Sequence, residues 1–273
     1  MILFDQHTHS RCSPDSDAPL RDMAEAARDH GMSLICFTDH FDMDDDRTGH
    51  CAPTWPERWP DVVREMEALL ADPPAGIEIR WGMELGEIHH DPATAAKAAA
   101  APELDFVLGS LHNLRDTPDF YHIRYSSLEE CETYNRAYLR ELAELAEQEC
   151  FDSMAHMGYT SRYMIRRGFR AEITADRYRD ELAEIFRRLI RGGRGVEVNT
   201  SGLREGQSTF PDPSALSLYR DLGGEIVTVG SDAHTPRDAG IGVKEAYQLL
   251  QSLGFRYVAR FTKRKPDFVR IDG

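Results

Sequence analysis

Short apolar runs rich in β-branched residues recur along the chain at 2–5, 34–38, 77–84, 106–110, 152–155, 196–199 and 226–230. Runs of about four to eight such residues predict buried strands. Between them the period changes. Stretches near 19–30, 58–71, 128–149, 174–192, 214–222 and 240–253 have a helical pattern. In 128–149, Leu128, Cys131, Tyr134, Tyr138, Leu142 and Leu145 recur at three- or four-residue steps and mark one apolar face. Gly31, Gly192-Gly193, Gly223-Gly224 and Gly254 follow helical stretches, where C-terminal caps are expected. The alanine-rich piece 93–101 is helix-prone and ends at Pro102, and 256–271 reads as one or two late strands or extended pieces. Strand and helix in alternation with short links predict an α/β fold with a parallel sheet, either open or closed into a barrel. No linker divides the chain, so 1–273 is expected to form one domain.

The strand-like runs end in metal-competent side chains. Asp5-Gln6-His7-Thr8-His9 follows the first run, and His40, Glu84, His112, His156 and the pair Asp232 and His234 stand at or just after the ends of others. The sixth run delivers Asn199 instead. Residues i and i+2 of a strand point to the same side, so His7 and His9 can converge on one ion. In a parallel α/β barrel the C-terminal strand ends form one face, where active sites sit. Residues far apart in sequence thus meet around one pocket. Zn²⁺, Mn²⁺ and Fe²⁺ accept mixed nitrogen and carboxylate ligands, and the absence of clustered cysteines argues against a zinc ribbon. The pattern predicts a polynuclear metal site and metal-assisted hydrolysis. His30, His50, His89, His90 and His122 are left out of it: they lie at a helix end or in loops without a clear partner. Adjacent residues such as His89 and His90 face opposite ways in extended chain.

Composition narrows the setting. A formal charge of −15 argues against binding a nucleic-acid backbone, which calls for a basic stripe. It leaves a small anionic substrate open, because bound cations reverse the local field. No run of about 18 apolar residues is present to span a membrane, and no signal peptide is visible at the N-terminus. Five cysteines without CxxC spacing read as reduced thiols of a cytoplasmic protein.

These motifs resemble the PHP (polymerase and histidinol phosphatase) superfamily. Within it they are most similar to the histidinol-phosphatase branch, through Thr38-Asp39-His40, Gly109-Ser110-Leu111-His112, the run Glu197-Val198-Asn199-Thr200-Ser201-Gly202-Leu203-Arg204 and Gly230-Ser231-Asp232-Ala233-His234. The resemblance implies a distorted (β/α)7 TIM-like barrel with three divalent ions, Zn, Mn or Fe. It assigns one ion to His7, His9, Glu84 and Asp232, and a second to the shared Glu84 with His112 and His156. The third goes to Asp15, His40 and His234, with Asp17 a nearby competitor for Asp15. Catalytic roles fall to Glu84, Asp232 and His234. Asp5 and Asp39 are expected either to orient histidines or to serve as loop hydrogen-bonders. Arg162 and Arg204, in the loops after the fifth and sixth strands, are implied to bind the substrate phosphate, since a guanidinium fork matches phosphate oxygens. Arg166, Arg167 and Arg170 are expected at the surface.

The implied reaction is hydrolysis of a small phosphate monoester, foremost L-histidinol phosphate in histidine biosynthesis, by a hydroxide bridging two metals. The loops after His112 and His156 match the branch pattern loosely, which leaves the ester open. One rival is a related phosphoesterase acting on another ester or a nucleotide. A second is an amidohydrolase, which needs a bridging lysine that this chain does not place after a central strand. A third is a non-catalytic metal-binding barrel.

Overall fold

A computed structural model describes residues 1–271. Seven strands, β1 (Phe4–Thr8), β2 (Leu34–Phe37), β3 (Glu78–Gly86), β4 (Phe106–Ser110), β5 (Ser153–Met154), β6 (Gly195–Asn199) and β7 (Val227–Gly230), lie side by side in sequence order. Every neighbouring pair is parallel. The sheet closes on itself just past β7. There His9 N donates to Ala233 O and Asp232 N to His7 O, both at 2.8 Å. The seam of the barrel therefore runs through two of the sequence's metal-competent segments. The α/β barrel expected from the sequence is the fold observed.

The helices that cover the strands are α1 (Leu20–Asp29), α2 (Trp55–Ala71), α3 (Pro92–Ala99), α4 (Leu128–Leu145), α5 (Tyr159–Arg166), α6 (Arg179–Arg191), α7 (Pro213–Asp221) and α8 (Val243–Ser252). Their starts are written in sequence. Ser127 caps α4 by accepting from Glu130 N at 3.1 Å, and Asp91 and Asp212 cap α3 and α7 with proline next in line. Helix α6 turns Leu182, Ala183, Ile185, Phe186 and Leu189 inward, the stripe that its 3.6-residue period calls for. The late segment is a hairpin, β8 (Tyr257–Thr262) with β9 (Lys265–Arg270). Ala259 and Phe261 from it pack with Phe4, Leu34, Phe106 and Leu108. Gln6 Nε2 donates to Ala259 O at 2.8 Å, so the hairpin plugs the end of the barrel away from the site.

Three local readings change. β1 runs through His7 to Thr8 instead of ending at residue 5, because its polar residues are buried in the barrel like its apolar ones. The stretch after His156, expected as loop, contains α5, which buries Tyr159 through Met164. Eight residues with this many polar side chains give no readable helical period. Helix α6 begins at Arg179, later than residue 174, leaving an irregular lead-in. Among the described residues no helix is long and apolar enough to cross a membrane.

Candidate metal centre

β1 carries His7 and, one residue past its end, His9. Both rings are wholly buried, and their Nε2 atoms stand 3.0 Å apart. The far side of each ring is fixed. Glu197 Oε1 lies 2.6 Å from His7 Nδ1. Ser13 Oγ lies 3.1 Å from His9 Nδ1 and gives its own proton to Asp39 Oδ1 at 2.8 Å, so it accepts from the imidazole. Each Nδ1 is thus committed to an oxygen behind its ring, and both Nε2 atoms face one point. At 3.0 Å the two nitrogens need a proton or a metal cation between them.

Carboxylates complete the ring around this point. Glu84 Oε2, from β3, is 3.2 Å from His7 Nε2, 3.5 Å from His9 Nε2 and 3.0 Å from His40 Nδ1. Its other oxygen, Oε1, is 2.8 Å from His156 Nε2 and 3.3 Å from His112 Nε2. One carboxylate therefore faces two groups of histidines, the geometry of a bridging ligand. Asp232 Oδ1 is 3.7 Å from His7 Nε2 and 3.4 Å from His9 Nε2. On the outer side, Asp15 Oδ2 is 2.9 Å from His234 Nε2 and 3.7 Å from His40 Nε2. The ring of His9 stacks between those of His40 and His234, with centroids 4.2 Å and 4.1 Å away. Asp17 is exposed, and the carboxylate that pairs with His40 and His234 on this side is that of Asp15.

The charges answer one another. Burial alone would raise the Glu84 pKa; the charges of His40 and His7, with hydrogen bonds from His112 and His156, outweigh it and hold the carboxyl well below the usual range. Asp232 is held low in the same way by His7, His9 and Arg162. Burial, with His234 and His40 alongside, keeps His9 well below its ordinary value and hence neutral. Burial also disfavours a charge on His7, but Glu197, Glu84 and Asp232 overcome it and raise its pKa. The cluster attracts a cation to the inward nitrogens.

The residues fit divalent ions of the zinc and manganese kind. His40 Nδ1 and His234 Nε2 are buried beside carboxylate oxygens, of Glu84 and Asp15, but make no contact with hydrogen-bond geometry among the described residues, an arrangement that suits an ion between nitrogen and oxygen. Two further observations show that the chain is held in place here. His156 and Asp232 both have positive φ, 21° and 56°. Such backbone costs about 1–3 kcal/mol per residue. Gly230 ends β7 where a Cβ would come within 2.2 Å of His7 Cβ and 2.5 Å of Glu197 Oε1.

Asp5 and Asp39 divide between the two expected roles. Asp5 touches no histidine ring; it accepts from Ser231 N at 2.8 Å, Ser231 Oγ at 2.6 Å and Gly240 N at 2.7 Å, and holds the turn after β7. Asp39 acts on His9 through Ser13. Glu197, which sequence reasoning missed as a site residue, fixes the His7 ring and accepts from His156 N at 2.8 Å. A glutamate flanked by Val196 and Val198 inside a strand was the available signal. Asp42 was also missed: its Oδ1 lies 3.4 Å from His112 Nδ1.

Arg162 projects from α5, not from a loop. Its Nη2 donates to Asp232 Oδ2 at 3.2 Å and to Ser201 Oγ, and its guanidinium lies over the rings of Tyr159 and Phe210. Arg204, on the short 3-10 turn Ser201–Glu205, donates to Ser231 O at 2.6 Å and Asp232 O at 3.1 Å. Arg166 is paired with Glu205 at the surface. His50 and His122 pair with Asp116 and Asp46, and His30 bonds Ala239 O. His89 and His90 are a correction. They lie in a turn, not in extended chain, and their rings come together with centroids 4.2 Å apart.

An α/β barrel that gathers histidines and carboxylates around a shared glutamate at its C-terminal strand ends is the scaffold of a metal-dependent hydrolase. Residues 5–201 match the PHP domain family, and the chain belongs to that family. The histidinol-phosphatase of Lactococcus lactis is 26% identical, over 98% of this chain and 97% of its own. A Thermotoga maritima protein named "Probable histidinol-phosphatase" is 28% identical, over 94% and 95%. Among solved structures, the Lactococcus lactis histidinol phosphate phosphatase, determined with Zn, L-histidinol and phosphate, superposes with a TM-score of 0.76 at 26% identity. That match covers 97% of this chain and 98% of the other.

Proposed function

We propose that this chain, acting as one domain over 1–273, is a metal-dependent phosphatase that hydrolyses L-histidinol phosphate to L-histidinol and inorganic phosphate. The observation that carries the reading is Glu84 facing two histidine groups at once, in a barrel that superposes along its length on a phosphatase solved with L-histidinol and phosphate. His7, His9, Glu84 and Asp232 would hold one divalent ion; Glu84, His112 and His156 a second; Asp15, His40 and His234 a third. When bound, such ions supply Lewis acidity towards phosphoryl oxygens and lower the pKa of water.

The chain's own residues prepare the rest. Glu197 and the Asp39–Ser13 pair fix the His7 and His9 tautomers so that both Nε2 atoms face inward. Arg162 binds the substrate phosphate; its Nε is buried without a partner among the described residues, a donor left for a phosphate oxygen. Arg204 contributes its remaining N–H groups to the same phosphate and steadies the Asp232 backbone. Water adds to phosphorus, the bond from phosphorus to the histidinol oxygen breaks, and that oxygen takes up a proton. A cavity of about 800 Å³ opens beside His40 and His112 and includes Asp42, Asp119, Tyr121 and Tyr159. Carboxylates and aromatic faces suit a substrate bearing an amine and an imidazole. We place the reaction in the cytoplasm, in keeping with the free thiols of Cys12, Cys36, Cys51, Cys131 and Cys150.

The test is phosphate release by Zn²⁺- or Mn²⁺-loaded protein from L-histidinol phosphate, other small monoesters and nucleoside monophosphates. The expected result is a kcat/KM above about 10⁴ M⁻¹s⁻¹ for L-histidinol phosphate alone. Weak, unselective turnover would keep the phosphatase and reject the substrate. No turnover of any ester would reject both.

A further inference from the structure

A second cluster of imidazoles and carboxylates lies outside the Glu84 centre and shares no residue with it. The turn after β3 brings His89 and His90 together, and α4 brings Glu141 to them. Glu141 Oε2 is 3.1 Å from His89 Nε2 and 2.8 Å from His90 Nε2. One ligand atom from each of the three lies within 4.8 Å of the others. Behind His90, Asp44 Oδ2 is 2.6 Å from Nδ1. We propose that His89, His90 and Glu141 form a further binding site for a divalent ion of the zinc class, with Asp44 orienting His90.

Three features favour a bound ion over a plain ion pair. First, Asp44 takes the Nδ1 hydrogen of His90, so the proton that Nε2 shares with Glu141 at 2.8 Å is the one a dication would displace. This is the arrangement in which a carboxylate behind a histidine fixes its tautomer for a metal. Second, the side chains of His89, His90 and Asp44 are only 2%, 3% and 1% exposed, while Glu141 at 17% leaves a route in. His89 Nδ1 is buried without a partner among the described residues. Third, two carboxylates around two imidazoles suit a dication. Arg115 reaches Glu141 only through its backbone N–H, at 3.3 Å, while its guanidinium bonds His89 O and lies 4.0 Å from Glu144. Two imidazoles, a carboxylate and an open position match zinc's preference for four tetrahedral ligands.

Such an ion would tie the turn after β3 to the middle of α4. Through Asp44, which also accepts from Asn113 Nδ2 at 2.9 Å, it would draw in the loops after β2 and β4. Those loops carry Asp42 and His112, so the ion would brace the mouth of the catalytic cavity without touching its ligands.

The experiment dialyses the full-length protein against buffered free Zn²⁺ and counts zinc per chain by mass spectrometry. It compares wild type with Glu141→Gln and His90→Asn, both checked for native circular dichroism, and follows phosphate release in parallel. The expected result is one zinc fewer per chain in each variant, with turnover persisting. Equal zinc content in all three proteins would overturn the proposal. So would a loss of zinc that abolishes turnover as Glu84→Ala does, because the missing ion would then belong to the catalytic centre. If wild type itself has no turnover, the proposed activity fails while the zinc count still decides this site.

Discussion

Glu197 shows how much one residue outside the ligand set can decide. Its carboxylate holds His7 Nδ1 with one oxygen and the His156 backbone with the other, so one side chain positions groups that face both oxygens of Glu84. Glu197→Gln keeps the shape and removes the charge. A 10–100-fold loss in metal affinity or kcat/KM is expected, the usual range for residues that orient metal-binding histidines. Zinc titration and steady-state kinetics on the folded variant check it; unchanged values in both would reduce Glu197 to a packing residue. Asp15 and Asp17 offer a sharper contrast. Asp15→Asn should lower zinc occupancy by about one ion per chain, while Asp17→Asn should leave it alone, since only Asp15 reaches His234 and His40. His7, His9, His40, Glu84, His112, His156, Asp232 and His234 stand out in the sequence because each lies at or just after the end of an apolar run, whereas Asp15 follows a polar loop and comes only from the family resemblance. Glu197 does not stand out, since within Val196–Val198 it reads as a strand residue of unspecified facing. The pairing of His89 with His90 was hidden for a different reason: it depends on a turn, and neighbour spacing alone predicts opposite faces.

At the level of elements, the strands were easier to read than the pieces that carry the phosphate arginines. Continuous burial gives parallel strands an unbroken apolar signature, whereas α5 is too short and too polar to show a period. Its position is set by tertiary hydrogen bonds instead. Thr160 Oγ1 donates to Asn135 Oδ1 at 2.7 Å on α4, and Ser161 Oγ donates to Ala171 O at 3.1 Å. Arg162 is thereby presented from a braced helix rather than a mobile loop. Arg162→Lys keeps a positive charge but loses the planar fork and its stacking on Tyr159 and Phe210. A fall of about 10²-fold in kcat/KM with metal content intact is expected, comparable to losing one aligned donor. The turn bearing Arg204 leads to a different outcome. Two of its donors hold the carbonyls of Ser231 and Asp232, so Arg204→Ala should impair phosphate recognition and also weaken the ion shared by His7, His9 and Asp232. Kinetics paired with zinc titration separate the two arginines. A variant with normal zinc affinity would mean that Arg204 serves the phosphate alone.

For the whole molecule, the site is also the seam. β1 and β7 meet where His9 bonds Ala233 and Asp232 bonds His7, so an ion held by His7, His9 and Asp232 would join the first strand of the barrel to the last. Without it, a proton must take the cation's place between His7 and His9 beside two buried carboxylates, and Asp232 keeps positive φ at that joint. Ion binding is therefore coupled to closure of the barrel. An ion at a hundred times its dissociation constant stabilises the folded state by about 2.7 kcal/mol. At about 2–4 °C per kcal/mol for a chain of this size, each ion removed by a chelator should lower Tm by about 5–10 °C. The loss should not be uniform. Amide hydrogen exchange should quicken first in β1, β7 and the turn after β7, while α6 and the β8–β9 hairpin, which closes the opposite end through Ala259 and Phe261, should stay protected longer. Glu84→Gln should show part of this loosening even with zinc present, because the bridging carboxylate serves two ions. A chelated protein whose Tm and β1 exchange match those of the loaded protein would mean that closure is complete without metal, and that the strained ligands are held by the surrounding hydrogen bonds alone.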